Sequence, residues 1–168
     1  MAQTMMANSA PDDAVEMLIF DLQHETFAIE ALMVREILDP PSETKVPGAA
    51  AFVDTVINFR GRVIPVADLR VAFGLERAAA TVDSRIVVIE LELDRAPTLV
   101  GVRADKVHEV ASLSLVSTQQ APRVGVRWRQ EFVRCLALRG DDLVILPDLA
   151  NIFSARGEPS PVPIRAVS

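Results

Sequence analysis

The fold of this chain is decided by residues 55–75, which read TVINFRGRVIPVADLRVAFGL. Two apolar runs flank Gly61, which supplies the positive φ that a tight hairpin turn needs. Pro65 has no amide donor for a ladder and predicts an edge strand or the end of a strand. Asp68 can cap a short helix, which Gly74 then closes. The stretch therefore predicts a unit of strand, arginine-containing turn, strand and helical turn.

The same unit recurs near the end of the chain. Arg60-Gly61 aligns with Arg139-Gly140, and Asp68-Leu69 aligns with Asp148-Leu149. A second alignment, in the same order, pairs residues 29–37 with residues 102–110. Short apolar patterns also coincide by chance, so both an internal duplication and a coincidence remain open. In either case the chain has two similar strand-rich halves, and we expect them to pack together because each is too small for a core of its own.

Alternating or continuous apolar residues predict the remaining strands, and short turns separate them. The first hairpin places five large side chains inward, namely Leu18, Phe20, Leu22, Phe27 and Ile29. Residues 42–51 are predicted to be an irregular connection, and residues 114–130 a long surface loop. The predicted strands cover residues 16–22, 26–30, 34–38, 56–59, 63–66, 85–91, 98–103, 107–113, 132–138 and 143–146.

Residues 55–74 resemble the hallmark of the CheW-like adaptor domains of bacterial chemotaxis. That hallmark reads approximately Gly-Val-Ile-Asn-Leu-Arg-Gly, then a proline, Asp-Leu-Arg and a closing Phe-Gly or Leu-Gly. The chain departs from it at Thr55, where the family usually has glycine, and at Phe59, where it has leucine. The resemblance extends over residues 15–153, almost the whole of the part of the chain that is expected to be ordered.

The resemblance implies a mainly β fold in which two small five-stranded SH3-like β-barrels pack on a shared core, with short helical turns. It predicts a CheW-like domain at residues 15–154, built from two interleaved barrel subdomains. Residues 1–14 are expected to form a disordered arm. Residues 155–168, which carry three prolines, are expected to form a disordered tail.

The family resemblance also implies a function, namely a non-catalytic adaptor that couples a chemoreceptor to a CheA-like histidine kinase. It places a surface for the receptor's cytoplasmic tip at Val34, Glu36, Thr55, Arg60, Val107 and Val110. We place the contact with the kinase regulatory domain at Leu38, Val46 and Phe52, which could equally be core residues. Two alternatives stay open: an adaptor of another array, governing motility, development or surface attachment, and an SH3-like ligand-binding or regulatory domain.

Arg60 is the most specific of these candidates, and it has two interpretations. By itself it could be a solvated turn arginine. It could also present a planar group with five donors to a partner's carboxylate or carbonyls. The family resemblance favours the second interpretation.

Composition limits the possible partners and compartments. The chain has 168 residues, half of them apolar, and a net charge of −6, which opposes binding to nucleic acid. The basic segment 123–134 is therefore interpreted as packing Trp128 on the second barrel, with its arginines solvated or facing a protein partner. The lone Cys135 excludes an internal disulfide, and no lysine or arginine precedes Arg35, so no signal peptide is predicted. We expect a monomeric cytoplasmic protein, recruited to membrane-associated arrays without inserting into the membrane.

Nothing in the sequence predicts catalysis. His24 and His108 stand alone in a turn and a strand, and no Cys/His cluster has zinc-binding spacing. No glycine-rich loop ends in Gly-Lys-Ser or Gly-Lys-Thr to bind phosphates. The carboxylate pairs Asp12-Asp13 and Asp141-Asp142 lie in an arm and a turn, where acidic pairs are usually solvated. We therefore expect no catalytic residue, metal or cofactor.

Overall fold

The computed structural model describes residues 14–116 and 130–156, which form eleven strands, two α-helices and three 3-10 turns. The strands are β1 Ala14–Leu22, β2 Glu25–Glu30, β3 Val34–Leu38, β4 Glu43–Lys45, β5 Thr55–Phe59, β6 Arg62–Ala67, β7 Arg85–Leu93, β8 Ala96–Ala104, β9 Lys106–Val116, β10 Val133–Arg139 and β11 Asp142–Pro147. The helices are α1 Leu69–Phe73 and α2 Leu149–Arg156, and the 3-10 turns are Ala31–Met33, Ala51–Val53 and Gln130–Phe132.

The strands form two sheets. One is a closed barrel with the strand order β1-β2-β11-β10-β9, and the other is a six-stranded sheet with the order β3-β7-β8-β6-β5-β4. Neighbouring strands are antiparallel except for the pairs β2–β11 and β6–β8. The predicted mainly β class with two barrel-like subdomains is confirmed.

The sixth strand of the larger sheet results from a break at Pro40-Pro41. In the closed barrel, β9 pairs with β1 over most of its length and with β10 over its last residues. In the other sheet β3 pairs with β7 and β4 pairs with β5, so β3 and β4 together take the place of β9. Because proline cannot donate to a ladder, the strand is interrupted there. The six-stranded sheet therefore corresponds to a five-stranded barrel whose closing strand is divided.

The two halves of the chain exchange hairpins. The element order β1-β2-β3/β4-β5-β6-α1 recurs as β7-β8-β9-β10-β11-α2. Hairpin β1–β2 joins β9, β10 and β11 of the second half, and hairpin β7–β8 joins β3 to β6 of the first. Equivalent hydrogen bonds recur as well: Asp68 N donates to Phe52 O at 2.9 Å, and Asp148 N donates to Phe132 O at 2.8 Å. The topology therefore supports the internal duplication.

Three apolar clusters hold this arrangement together. One lies within each sheet, around Met17 and Ile19 in the barrel and around Ile57 and Ile64 in the six-stranded sheet. The third and largest draws on both sheets and both helices. It contains six of the seven phenylalanines: Phe20, Phe27, Phe52, Phe73, Phe132 and Phe153. The predicted shared core is therefore present, and it contains all five side chains that the first hairpin was expected to bury.

Residues 55–75 fold largely as their sequence predicts. Asp68 Oδ1 accepts a hydrogen bond from Arg70 N at 3.1 Å and caps α1. Gly74 ends the helix in the left-handed region at φ +72°. The edge-strand reading of Pro65 is wrong, because β6 lies between β5 and β8. Pairing with β8 starts only at Val66, so the missing donor of the proline falls outside that ladder.

Several predictions fall outside the residues that the structure describes. The arm and the tail are outside it except for Ala14, which begins β1, and residues 155–156, which end α2. The basic segment around Trp128 is also outside up to residue 129. Among the described residues, no helix is long and apolar enough to span a bilayer.

Candidate functional site

Arg60 lies at the tip of the β5–β6 hairpin in a backbone conformation that arginine rarely adopts. Arg60 and Gly61 form the two-residue turn with φ values of +54° and +81°. Asn58 Oδ1 accepts a hydrogen bond from Gly61 N at 2.9 Å and fixes the turn. A non-glycine residue at positive φ carries a steric cost, and such costs concentrate at functional sites. The Arg60 side chain is 73% exposed, so packing does not explain why arginine is there.

The Arg60 guanidinium pairs with Glu36 on β3. Arg60 Nη2 donates to Glu36 Oε1 at 2.5 Å, and the guanidinium carbon lies 5.2 Å from the centroid of the Phe59 ring. The contact joins the hairpin turn to the broken closing strand of the six-stranded sheet. Together the carboxylate and the ring hold the arginine in one orientation at the surface, with its remaining N–H groups available to a partner.

The closed barrel carries a similar pair. Glu109 on β9 aligns with Glu36, and Arg139 at the end of β10 aligns with Arg60. Arg139 Nη2 donates to Glu109 Oε2 at 3.1 Å. In both sheets the register shifts beside the glutamate, between Val34 and Glu36 in one and opposite the segment from Val107 to Val110 in the other. Both subdomains therefore carry a glutamate–arginine pair beside the hairpin turn, but by strand register Arg139 occupies the position of Phe59, and Gly140 that of Arg60.

Exposed apolar side chains accompany both pairs. In the first subdomain, Ile37 follows Glu36, and Val63, which is 71% exposed, lies opposite Asn58 in the β5–β6 ladder. Val110 and Leu143 occupy the equivalent positions in the second subdomain, and Leu138 lies opposite Leu143. A charge pair bordered by exposed apolar residues is typical of a protein-binding surface.

Comparison with known proteins shows the family to which this fold and these residues belong. The family model of the CheW-like domain matches residues 16–157. The chain belongs to the CheW-like family. Chemotaxis protein CheW of Klebsiella aerogenes is 32% identical over 140 residues, covering 83% of this chain and 82% of that protein. CheW of Rhizobium meliloti is 30% identical over 139 residues, covering 82% of this chain and 86% of that protein.

A solved structure supports the same relationship. The crystal structure of the scaffolding protein TtCheW from Thermoanaerobacter tengcongensis matches with a TM-score of 0.72 and 27% sequence identity. The match covers 86% of this chain and 96% of that chain. This CheW-like chain therefore shares both sequence and architecture with proteins named for chemotaxis or scaffolding.

The residues predicted from the family to bind a receptor divide between the two subdomains. Val34, Glu36 and Arg60 lie in the first, and the structure joins Glu36 and Arg60 directly. Val107 and Val110 lie on β9 in the second. Val34 and Val107 occupy equivalent positions, and both pack against the edge of the shared core. Val110 is exposed.

Thr55 does not lie with Arg60. It is only 2% exposed, and its hydroxyl donates to Asp54 Oδ1 at 3.0 Å. It begins β5, whereas Arg60 follows the end of that strand, and five residues of extended chain span about 16 Å. A buried side chain at the other end of the hairpin cannot contact a partner bound at Arg60, so Thr55 is excluded from the candidate surface.

The three residues assigned to kinase binding also have different environments. Phe52 is 2% exposed and packs edge-to-face on Phe153, with ring centroids 5.2 Å apart, so it is a core residue. Leu38 is half-buried and packs on the core of the six-stranded sheet. Val46 is half-buried just after β4. Only Leu38 and Val46 retain surface through which a kinase could be contacted.

Sequence reasoning missed Glu109 and Arg139, although the signal was present. The alignments of residues 29–37 with 102–110 and of Arg60 with Arg139 placed both residues at positions equivalent to known candidates. Only the folded chain shows that each alignment contributes one member of the same ion pair. The pairing could have been inferred by applying both alignments at once.

The ionisable groups near these surfaces provide fixed charges. The hydrogen bonds that Arg103 donates to Glu43 raise the pKa of Arg103, and the hydrogen bond that Arg134 donates to Glu30 raises the pKa of Arg134. Both groups therefore stay cationic at physiological pH. Burial raises the pKa of the Cys135 thiol more than the nearby Arg134 lowers it, which disfavours the nucleophilic thiolate. Within the described ranges, no group of three His, Cys, Asp or Glu side chains is placed to hold a metal.

Proposed function

We propose that this protein is a non-catalytic scaffold that couples chemoreceptors to a CheA-like histidine kinase in chemotaxis signalling. Membership of the CheW-like family supports this role. The observation that carries the proposal is the exposed Arg60–Glu36 pair, held at a hairpin tip whose backbone disfavours arginine. A scaffold needs surfaces of defined shape and charge, and this pair provides one.

The receptor-binding surface centres on the Arg60–Glu36 pair. Arg60 has five N–H donors in a planar fork, and its contact with Glu36 uses one nitrogen, so the others can bind carboxylate or carbonyl oxygens of a receptor. Val34 borders this pair on the same strand, and Val107 and Val110 extend the surface on the second subdomain. The apolar residues contribute area, and the arginine contributes orientation and specificity.

The kinase-binding surface uses a different part of the first subdomain. Leu38 ends β3 and Val46 follows β4, the edge strand of the six-stranded sheet. The break at Pro40-Pro41 lies between them. An unpaired edge with half-buried apolar residues on both sides can pack against a similar barrel in the kinase regulatory domain.

Two separate surfaces are enough for coupling without chemistry. If the receptor has two conformations that bind the scaffold with different free energies, receptor state shifts the equilibrium of the attached kinase. A difference of about 1.4 kcal/mol changes an equilibrium tenfold. Neither surface requires a catalytic group, so the protein is a non-enzymatic component. It works in the cytoplasm and is recruited to receptor arrays.

Calorimetry with Arg60→Ala tests this function. We expect the affinity for a receptor tip fragment to fall about tenfold or more, because a charge-assisted interface contact is lost, while affinity for the kinase regulatory domain stays at the wild-type value. Arg95→Ala is the matched control. Arg95 is likewise an exposed arginine at positive φ, +66°, in a hairpin turn, that of β7–β8, and it is not part of the Arg60–Glu36 pair. If both variants bind the receptor as tightly as wild type, Arg60 has no part in coupling.

A further inference from the structure

A buried arginine lies at the start of α1. Arg70 is the second residue of this helix, and its side chain is 5% exposed. Its Nε donates to Asp68 Oδ1 at 3.2 Å, and its Nη1 donates to Asp105 Oδ1 at 2.8 Å. Asp105 lies in the link between β8 and β9. The guanidinium therefore occupies the space between the helix start and that link, with a carboxylate on each side.

The equivalent space at the start of α2 is open. By the internal duplication, Asp148 corresponds to Asp68, but Ala150 stands in place of Arg70 and Leu32 in place of Asp105. Ala150 is exposed, and Leu32 is 88% exposed. A cleft of about 180 Å³ remains there, between β2, the 3-10 turn after it, β7 and the start of α2. The start of α2 therefore lacks the arginine that binds two carboxylates at the start of α1, and a cleft lies beside it.

The cleft is lined by apolar and acidic residues. Met33, Leu91 and Leu149 provide apolar surface. The acidic residues Glu30, Glu92 and Asp148 line it as well, and its one basic residue, Arg134, is paired with Glu30. A ligand that suits this lining has an aliphatic stem and a cationic head, which is the shape of an arginine side chain.

We propose that this cleft receives an arginine side chain of the chemoreceptor, which binds the carboxylate of Asp148 as Arg70 binds Asp68. Three observations carry the inference: the equivalence of the two sites, the excess of carboxylates in the lining, and the open volume. The position of Met33 favours the receptor as the partner, because Met33 lines the cleft and directly precedes Val34 on the proposed receptor surface. The choice of the receptor rests on the proposed function, whereas the preference for arginine does not.

The first experiment measures the arginine preference without any partner. N-acetyl-arginine amide is titrated into the full-length protein, and the backbone amide resonances are followed by NMR. We expect saturable shifts at Leu149, Ala150 and Met33 that the neutral isostere N-acetyl-citrulline amide does not produce. Asp148→Asn keeps the helix cap, because asparagine caps as well as aspartate, and it should weaken the shifts. Absence of saturable shifts, or equal shifts with citrulline, would overturn the proposal.

The second experiment fills the cleft from within. Ala150→Arg restores the residue of the first half, so its guanidinium should contact Asp148 in a crystal structure and abolish the response to N-acetyl-arginine amide. We expect the affinity of this variant for a receptor tip fragment to fall about tenfold, because the receptor's arginine can no longer reach Asp148. Its affinity for the kinase should be unchanged. The uncharged variant Ala150→Ser should bind both as wild type does.

The outcomes separate the inference from the function on which it rests. Loss of kinase binding alone, or unchanged binding to both partners, overturns the assignment of the cleft to the receptor. If wild-type protein binds neither partner, the proposed function fails, while the NMR result with N-acetyl-arginine amide still decides whether the cleft takes arginine.

Discussion

Substitution of Asp105 tests whether one carboxylate fastens the two subdomains together. Asp105 Oδ1 accepts from Arg70 Nη1 at 2.8 Å, and Oδ2 accepts from the backbone N of Gln23 at 2.7 Å. Arg70 belongs to α1, which follows the six-stranded sheet, and Gln23 lies in the β1–β2 turn of the closed barrel. Asp105→Ala removes both contacts at once.

The loss in the free energy of unfolding caused by Asp105→Ala depends on how deeply the remaining charged group, Arg70, is buried. Removing one partner of a fully buried ion pair costs about 3–5 kcal/mol. Arg70 keeps Asp68 as a partner, and the Asp105 side chain is 31% exposed, so water replaces part of the lost interaction. We therefore expect Asp105→Ala to lower the free energy of unfolding by about 2–3 kcal/mol, and Asp105→Asn, which keeps one acceptor oxygen, by about half as much.

Urea denaturation followed by far-ultraviolet circular dichroism measures this loss. The matched control is Leu32→Ala at the equivalent position, where a side chain that is 88% exposed should change stability by no more than about 0.5 kcal/mol. The dependence on urea concentration should stay at the wild-type slope, because the folded state is unchanged. If Asp105→Ala costs no more than Leu32→Ala, Asp105 does not fasten the subdomains.

Three further predictions concern the turn, the cooperativity and the kinase surface. Arg60→Asn should raise the free energy of unfolding by about 0.5 kcal/mol, because Asn-Gly suits a turn with two positive φ values. Its affinity for the receptor should fall. If the affinity for the receptor is retained, the arginine is not kept for binding. Calorimetric unfolding should give one transition, because the subdomains exchange hairpins and share a core, and two separated transitions would contradict this. Leu38→Asp and Val46→Asp should each weaken kinase binding in folded protein without affecting receptor binding, and wild-type kinase affinity in both would place that interface elsewhere.

The sequence predicted the features that depend on neighbouring residues. The Asp68 cap, the Gly74 termination and the hairpin turn at Gly61 are each determined within a few positions, and all three are present. Alternating apolar residues likewise placed ten strands correctly to within a few residues. Strand β4 was missed because its three residues are all exposed, so no apolar alternation marks it.

Features that depend on distant partners could not be read in the same way. The burial of Phe52 and Thr55 follows from how α2 and the neighbouring strands pack, and a family motif does not contain that information. The internal position of β6 depends on its parallel pairing with β8, which comes from the other half of the chain. In each case the residue was noticed from the sequence, and its environment was supplied by an element far along the chain.

The internal duplication allows the two subdomains to be compared, and the differences between them bear on function. The two subdomains have the same order of elements, so a charge pair present in both, such as Glu36–Arg60 and Glu109–Arg139, is compatible with a structural role at either site. The distinguishing features are those that one subdomain has and the other lacks. Arg60 sits at positive φ, whereas Arg139 ends a regular strand, so only the first pair is held at a steric cost. By the same reasoning the cleft at Ala150 lacks the buried arginine found at Arg70, and we propose that partner binding accounts for both asymmetric positions.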